Sequence, residues 1–430
     1  MQIKNIRLRN FRGMEDVTVE FAPRVNIIVG DNGAGKSSLL KGLRILLSNI
    51  LSEDEHILYA QIQKEDVRLT SGLIGDATTA LQYHFPSIIE GDIELHSIVS
   101  HCKSARNNEN SDSVMDNISH IYDKDYDPRV QQHMTQLLNN KNSELPLLNY
   151  QGDQKNLLSV SSMKQMLPGI IERRQGYAGA LTGVFDEDII QNWCLRMELI
   201  SYQEKRNIAE YENFRRAVAQ FIGLIDKKES QGEIYFAADM MTLVYSNGKN
   251  RLPLYSLSSG YQSILCMIIE LAYRVVILNP CMSDYQSVEG IVIIDEIDVH
   301  LHPKWQWKII DALRSVFPKV QFIIATHSPI IISSAEGAKL FLMMSPNEIE
   351  ELPDAYGINV DNILELRQQS DDMPPELKKW QKEIISSLNH NDIRGAETLI
   401  QKAEIQHGKD SALVHKLREF FEINKWIADT

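Results

Sequence analysis

Cysteine is scarce in this chain: Cys102, Cys194, Cys266 and Cys281 are the only four in 430 residues, and no two form a C-x-x-C pair. Their spacing offers neither a disulfide framework nor a zinc-ligand set, and reads as reduced, mostly buried thiols of a cytosolic protein. Positive charge is outweighed, since 44 Lys and Arg face 58 Asp and Glu for a formal charge of −14. The global field therefore works against nucleic acid, so any DNA contact needs a local basic patch or another protein. No apolar run reads as long enough to span a membrane, and Met1-Gln2-Ile3-Lys4 leads into a strand-like segment rather than a secretory leader. No heptad persists over many turns, which excludes a long coiled-coil arm. These absences leave an intracellular chain able to bury a large core in two or three structural units.

What is present centres on Val25 to Leu40, VNIIVGDNGAGKSSLL. A short apolar run ends at Val29, the loop Gly30-Asp31-Asn32-Gly33-Ala34-Gly35-Lys36-Ser37 follows, and Ser38 onward has helical apolar spacing to about Leu51. Strand, glycine loop and helix in that order form a phosphate cradle. The glycines let successive N–H groups from about Gly33 to Ser37 point at phosphate oxygens, and the helix N-terminus adds partial positive charge. Lys36 would reach the β- and γ-phosphates, and the Ser37 hydroxyl would bind Mg²⁺.

Two edge-like strands precede this loop, Ile3 to Leu8 and Val17 to Phe21, joined through Asn10-Phe11-Arg12-Gly13. Lys4, Arg7, Arg9 and Arg12 make a basic cluster there that reads as a solvated strand face in preference to a DNA contact. From about Ser100 to Asn142 the chain turns polar, and Ala105 to Ser113 reads as a mobile loop. Val130 to Leu138 has helical character, Leu145 to Tyr150 reads as a buried strand, and Ile189 to Ile225 holds two helices.

Three motifs then follow closely. Ser256-Leu257-Ser258-Ser259-Gly260-Tyr261-Gln262 opens a helical run, Ile264 to Val276, and has the form of an ABC signature. In such a signature the Ser and Gly amides, here Ser258 and Gly260, bind the γ-phosphate of a nucleotide held by a second subunit. Gly290 to Ile294 is a doubly buried strand ending in Asp295 and Glu296, at the end of the sheet where α/β folds bind ligands. Asp295 would hold Mg²⁺, and Glu296 would orient and deprotonate the attacking water. Gln321 to Ala325 is another buried strand, and His327 beyond it is placed to hydrogen-bond the γ-phosphate. His300 and His302 read as structural rather than as metal ligands. The joint order is that of an ABC-type ATPase head, which works only as a sandwich of two copies.

Asn10 to Gly13, Leu257 to Gln262, Gly290 to Gln306 (GIVIIDEIDVHLHPKWQ) and Ala325 to Pro329 resemble the RecF/OLD-like ABC ATPases of bacteria. Within that group the chain is similar to the ATPases of antiphage defence, the Septu ATPase and its retron-associated counterpart. Leu145 to Gln151, Arg174 to Tyr177, the Trp193 region and Asp354 to Leu364 fit the same resemblance. It implies an α/β fold: a RecF/SMC-like P-loop head split between residues 1–95 and 246–345, a mainly helical insertion over 96–245, and a helical extension over 346–430. It also implies ATP and Mg²⁺ as ligands. Asn32, Gly33, Ala34, Gly35, Lys36, Ser37 and Ser38 would contact ATP, Ser37 and Asp295 the metal, and Ser258, Gly260 and Asp298 would act in trans.

Two departures stand out. Ser259 occupies a position where many ABC proteins have glycine, and Gln61, Gln63 and Asp66 compete for the Q-loop position. After the head, Pro374 to Ile427 reads as two or three short helices with three apolar faces (Leu377, Trp380, Ile384; Ala396, Leu399, Ile400, Ala403; Val414, Leu417, Phe420, Phe421, Ile423) and Trp426 prone to exposure, forming a lid over their own core or a docking surface. The strand-acid pattern of a Toprim nuclease and the compact partners of an HNH site are both absent from the sequence. The resemblance therefore implies a regulator of a separate HNH-type nuclease subunit, with DNA reached through that complex and no membrane. Two alternatives remain: a RecF-like repair ATPase that binds DNA through the N-terminal basic cluster, and an ATP-locked oligomeric scaffold with little turnover.

Overall fold

The structure is a computed structural model that describes residues 1–51, 60–73, 79–109, 128–152, 172–183, 187–226, 232–353, 356–357, 375–389, 392–409, 411, 413–418 and 420–421. Met1–Val360 and Asp361–Thr430 are separate compact units. In the sequence reading the helical extension began at residue 346. The boundary falls later because β16 (Glu348–Leu352) pairs back onto β15 (Lys339–Ser345), carrying the chain into the first unit's sheet.

That sheet has six strands in the order β16, β15, β4 (Val25–Gly30), β14 (Val320–Ala325), β13 (Gly290–Ile294) and β9 (Leu147–Gln151). All pairings are parallel except that of β15 with β16. Every residue of β4, β9, β13 and β14 is buried, as expected for parallel strands covered on both faces and rich in Val, Ile and Leu.

A second, antiparallel sheet joins β1 (Gln2–Ile3), β2 (Asn5–Phe11), β3 (Met14–Glu20), β7 (Ser87–Leu95) and β8 (Ile98–Arg106). The helix α1 (Lys36–Ser48) touches β4 of the first sheet and β2, β7 and β8 of the second, and so seals the space between them. Gly42 permits that closeness: a Cβ there would lie 2.7 Å from a Leu8 methyl. Smaller elements are the hairpin β5 (Leu69–Leu73) with β6 (Thr79–Tyr83), and the meander β10 (Glu233–Ala237), β11 (Thr242–Ser246), β12 (Arg251–Pro253).

The segment 96–245 contributes both strands and helices. β8 extends the antiparallel sheet and β9 forms an edge of the central one, between which lies the helix Arg129–Asn139. The polar look of the chain after Ser100 reflects the half-exposed outward residues of β8, whose inward residues Ser100, Cys102 and Arg106 are buried. The expected loop beyond residue 109 lies outside the described residues, as do Trp426 and most of Asp354 to Leu364. Glu187–Glu204 and Ala209–Asp226 are the two helices expected in this region.

The helix Ser259–Leu278 is buried along nearly all of its length. Its most apolar 18-residue stretch has a mean hydropathy of 1.6, enough to cross a membrane by length and composition alone, yet 94% of that stretch is buried inside the fold. Its apolarity is accounted for by its place in the core.

In the second unit, the helices Pro375–Asn389 and Ile393–His407 pack with residues of 413–421 around Ile384, Leu388, Ala396, Ala403 and Leu417. The three apolar faces seen in the sequence cover one another. Asp392 starts the second helix by accepting the Gly395 N–H at 2.9 Å.

Candidate functional site

The glycine loop leaves β4 at Gly30, which lies against β15 so closely that a Cβ would sit 2.3 Å from the Met343 carbonyl oxygen. Gly33 (φ 86°) and Gly35 (φ 104°) adopt the left-handed region that side chains resist. Gly35 is the N-cap of α1, so the helix opens at Lys36 with its N-terminal N–H groups directed at the loop. Asn32, Gly33 and Ser37 are exposed, Ser38 is half-buried and Ala34 is buried.

Lys36 is 6% exposed, and its Nζ donates to the carbonyls of Gly30 (2.8 Å) and Asp31 (3.0 Å). Burial holds its pKa below the usual lysine value, opposed by the negative charges of Asp295, Glu296, Asp31 and Asp298. Asp31 belongs to the glycine loop itself, whereas Asp295, Glu296 and Asp298 follow β13.

Asp295 and Glu296 follow directly on β13. The Asp295 N–H donates to the Gln151 carbonyl at the tip of β9 (2.8 Å), and the Asp295 side chain is buried. Glu296 has φ 47°, a left-handed conformation that costs a branched or long side chain about 1–2 kcal/mol, and is half-buried. That turn swings the chain off the strand towards Asp298. Asp298 Oδ1 accepts from the Thr326 hydroxyl (2.5 Å) and the His327 N–H (3.3 Å), so it fixes the end of β14 from which His327 projects. These contacts lie within Asp298's own chain. Ser328 continues the network, donating its N–H to Thr326 Oγ1 (3.0 Å) and its hydroxyl to Gln306 Oε1 (2.7 Å).

β4, β14 and β13 are neighbours in the sheet, so Lys36, His327 and the Asp295–Glu296 pair emerge at the same carboxyl edge. This is the edge where open α/β sheets take ligands.

Ser258 is the N-cap of the helix Ser259–Leu278. Gln262 holds the preceding turn by donating to the carbonyls of Tyr255 and Leu257, both at 2.8 Å. Tyr261 meets the Trp305 ring edge-on at 5.1 Å between centroids, which ties the signature to the segment after Asp298. His302 Nδ1 accepts the Lys304 N–H and caps the short helix Pro303–Gln306, a structural role.

Several partners in the site come from segments distant in sequence. Arg12 donates to the fully buried Asp66 (2.9 Å) and lies 3.5 Å from the Ser38 hydroxyl, beside the glycine loop. Asp66 also accepts from Lys41 (2.6 Å), so of the Q-loop candidates its carboxylate is engaged by two cations. The rest of the basic cluster is matched by acids: Lys4 with Glu94, Arg7 with Asp16 and Glu90, Arg9 with Asp16. The alternation of β2 signalled an exposed face but could not show which acids face it.

The parallel sheet, the glycine loop and the helix it opens have the architecture of a P-loop ATPase domain. The chain belongs to the AAA ATPase domain family, whose profile matches residues 1–173 and 184–332. It is similar to "Retron Vc95 probable ATPase" of Vibrio cholerae serotype O1 biovar El Tor, with 23% identity covering 86% of this chain and 80% of that protein. It is also similar to "Septu protein PtuA" of Bacillus mycoides, with 24% identity covering 84% of this chain and 44% of that protein. Among solved structures, the SMC head domain from Thermotoga maritima aligns with a TM-score of 0.43 and 15% identity over 82% of this chain and all of that chain.

Proposed function

We propose that the chain binds ATP with Mg²⁺, hydrolyses it between two copies, and so regulates a separate HNH-type nuclease subunit in antiphage defence. The observation that carries the ATPase reading is the convergence of Lys36, His327, Asp295 and Glu296 at one carboxyl edge, from three adjacent parallel strands. The defence role rests on the retron and Septu relatives.

In this reading the amides of Asn32 to Ser38 surround the phosphates, and Lys36 turns its ammonium to the β- and γ-phosphate oxygens. The Ser37 hydroxyl and Asp295 carboxylate are hard oxygen donors suited to Mg²⁺, which when bound offsets negative charge on the phosphates. Glu296 accepts a proton from water as its oxygen bonds to the γ-phosphorus. The bond from that phosphorus to the bridging oxygen breaks, and ADP leaves with the electron pair. His327, held by Asp298, hydrogen-bonds a γ-phosphate oxygen. Ser258, Gly260 and Asp298 of a second copy complete each site, giving a head-to-head dimer or a larger even-numbered assembly.

The chain carries no nuclease site of its own in this account, acts in the cytoplasm, and meets DNA through its complex. The acid-matched N-terminal cluster favours this reading over direct DNA binding of the RecF type. The test is the mass of the purified chain with and without ATP and Mg²⁺, for wild type and Glu296→Gln. Nucleotide-driven dimers, accumulating in Glu296→Gln, are expected. A chain that stays monomeric with nucleotide in both forms would falsify the sandwich.

A further inference from the structure

The apolar helix Ser259–Leu278 carries two charged residues one turn apart, Glu270 and Arg274, only 5% and 6% exposed. Arg274 donates to Glu270 Oε1 through Nε (2.9 Å) and pairs with it through Nη2 (2.8 Å). Its remaining nitrogen, Nη1, donates to the carbonyls of Gly176 (2.8 Å) and Ala178 (3.0 Å). Glu270 in turn accepts from Asn149 (3.0 Å) and from Gln151 (2.8 Å), both buried residues of β9. Gln151 is the last residue of β9, and its carbonyl receives the Asp295 N–H.

The outer edge of β9 is closed by the segment 172–183, a strap whose Gly176 and Ala178 carbonyls Arg274 holds. The Tyr150 N–H donates to the Ala180 carbonyl (2.7 Å), while Arg44 of α1 donates to Leu181 O (2.6 Å) and lies 4.1 Å over the Tyr150 ring. The tip of β9 is thus fixed from the signature helix on one side and from α1 on the other.

A buried ion pair is a poor source of net stability, because desolvation consumes what the attraction supplies, and apolar side chains would pack this helix as well. What the network does supply is direction: Glu270 accepts from Arg274, Asn149 and Gln151, which leaves little freedom in where Gln151 sits. Resting on the ATPase reading above, we propose that Gln151, Glu270 and Arg274 are positioning residues. They set the tip of β9, and through the Gln151–Asp295 backbone hydrogen bond they hold Asp295 and Glu296 in register with the signature helix.

The test compares Gln151→Leu and Glu270→Gln with Tyr177→Phe in the full chain. Tyr177→Phe removes another buried bond of the strap, from Tyr177 to Pro146 O, on the side away from the β9 tip. Glu270→Gln serves where Gln151→Leu fails to fold: it keeps the volume but can turn an amide donor towards the Gln151 donor. Steady-state ATP hydrolysis, ATP affinity, the Mg²⁺ concentration for half-maximal rate and thermal unfolding are measured for each. The expected result is a kcat lowered roughly tenfold or more in the first two variants, with ATP affinity held within about twofold and a raised Mg²⁺ requirement. Tyr177→Phe lowers the unfolding temperature but leaves kcat and the Mg²⁺ requirement near wild type. A kcat in Gln151→Leu or Glu270→Gln no lower than in Tyr177→Phe overturns the positioning role alone. Wild-type protein that binds and turns over no ATP overturns the ATPase reading, and this proposal with it.

Discussion

Gly260 packs so tightly on His300 that a methyl group at Gly260 would lie 2.2 Å from the His300 carbonyl oxygen. The first turn of the signature helix and the loop following Asp298 are therefore one rigid piece, reinforced by Tyr261 against Trp305. Two stretches proposed to face a second copy's nucleotide are held together by a contact that only glycine permits.

Gly260→Ala follows directly from that contact. The obstacle is backbone, which cannot rotate away, so the helix start must shift, at a cost of about 1–3 kcal/mol. Thermal or denaturant unfolding should register that loss. Nucleotide-driven assembly, read by mass in solution, should fall further than for a surface alanine substitution of equal stability cost.

Lys36→Met should remove ATP binding while sparing the fold. A charged hydrogen bond to phosphate contributes about 1.5–3 kcal/mol, so affinity drops about 10- to 100-fold per bond lost. The pH signs are opposite for stability and binding. Burial lowers the folded-state pKa of Lys36. Between that lowered value and the ordinary lysine value the unfolded chain binds more protons, and stability rises with pH. Nucleotide affinity falls over the same window as the ammonium is lost. Isothermal titration at rising pH, with Lys36→Met as the flat reference, separates the two.

Glu296→Gln keeps the shape of the side chain but cannot take a proton. Hydrolysis should fall by about 10²–10⁴, the usual worth of a general base, with ATP affinity preserved. Phosphate release under single-turnover conditions checks the first part and equilibrium binding the second. Equal losses in both would show that Glu296 holds nucleotide rather than activating water.

Arg7→Ala combined with Arg9→Ala tests the N-terminal face. Both side chains are already matched by Asp16, and Arg7 also by Glu90. Retention of a labelled DNA duplex, and its dependence on salt, should be the same as for wild type. A shallower salt slope in the variant would favour the RecF-like alternative.

Much of this molecule is legible along the chain because neighbours in sequence are neighbours in space. The run from Val25 to Ser37 determines strand, loop and helix by itself: apolar β-branched residues, then glycines at the two left-handed positions, then Lys36 at the helix start. Asp295 and Glu296 declare themselves in the same way, as acids at the end of a doubly buried strand. Helix spacing likewise marked the three apolar faces of the second unit.

Tertiary structure decided what depends on distant segments meeting. β8 looked polar because its outward residues are half-exposed, and only its pairing with β7 makes it a strand. Arg12 looked like a solvated surface residue until Asp66, 54 positions away, came beside it. Glu270 lies 121 positions from Asn149 and 119 from Gln151, and Gly260 40 from the carbonyl that forbids it a side chain. Hydrophobic periodicity fixes which face of an element turns inward, but the partner of a buried charge is set by which elements the fold stacks together. The sequence alone determined the chemistry available at the sheet edge. The three-dimensional packing determined how that edge is held and joined to the signature helix.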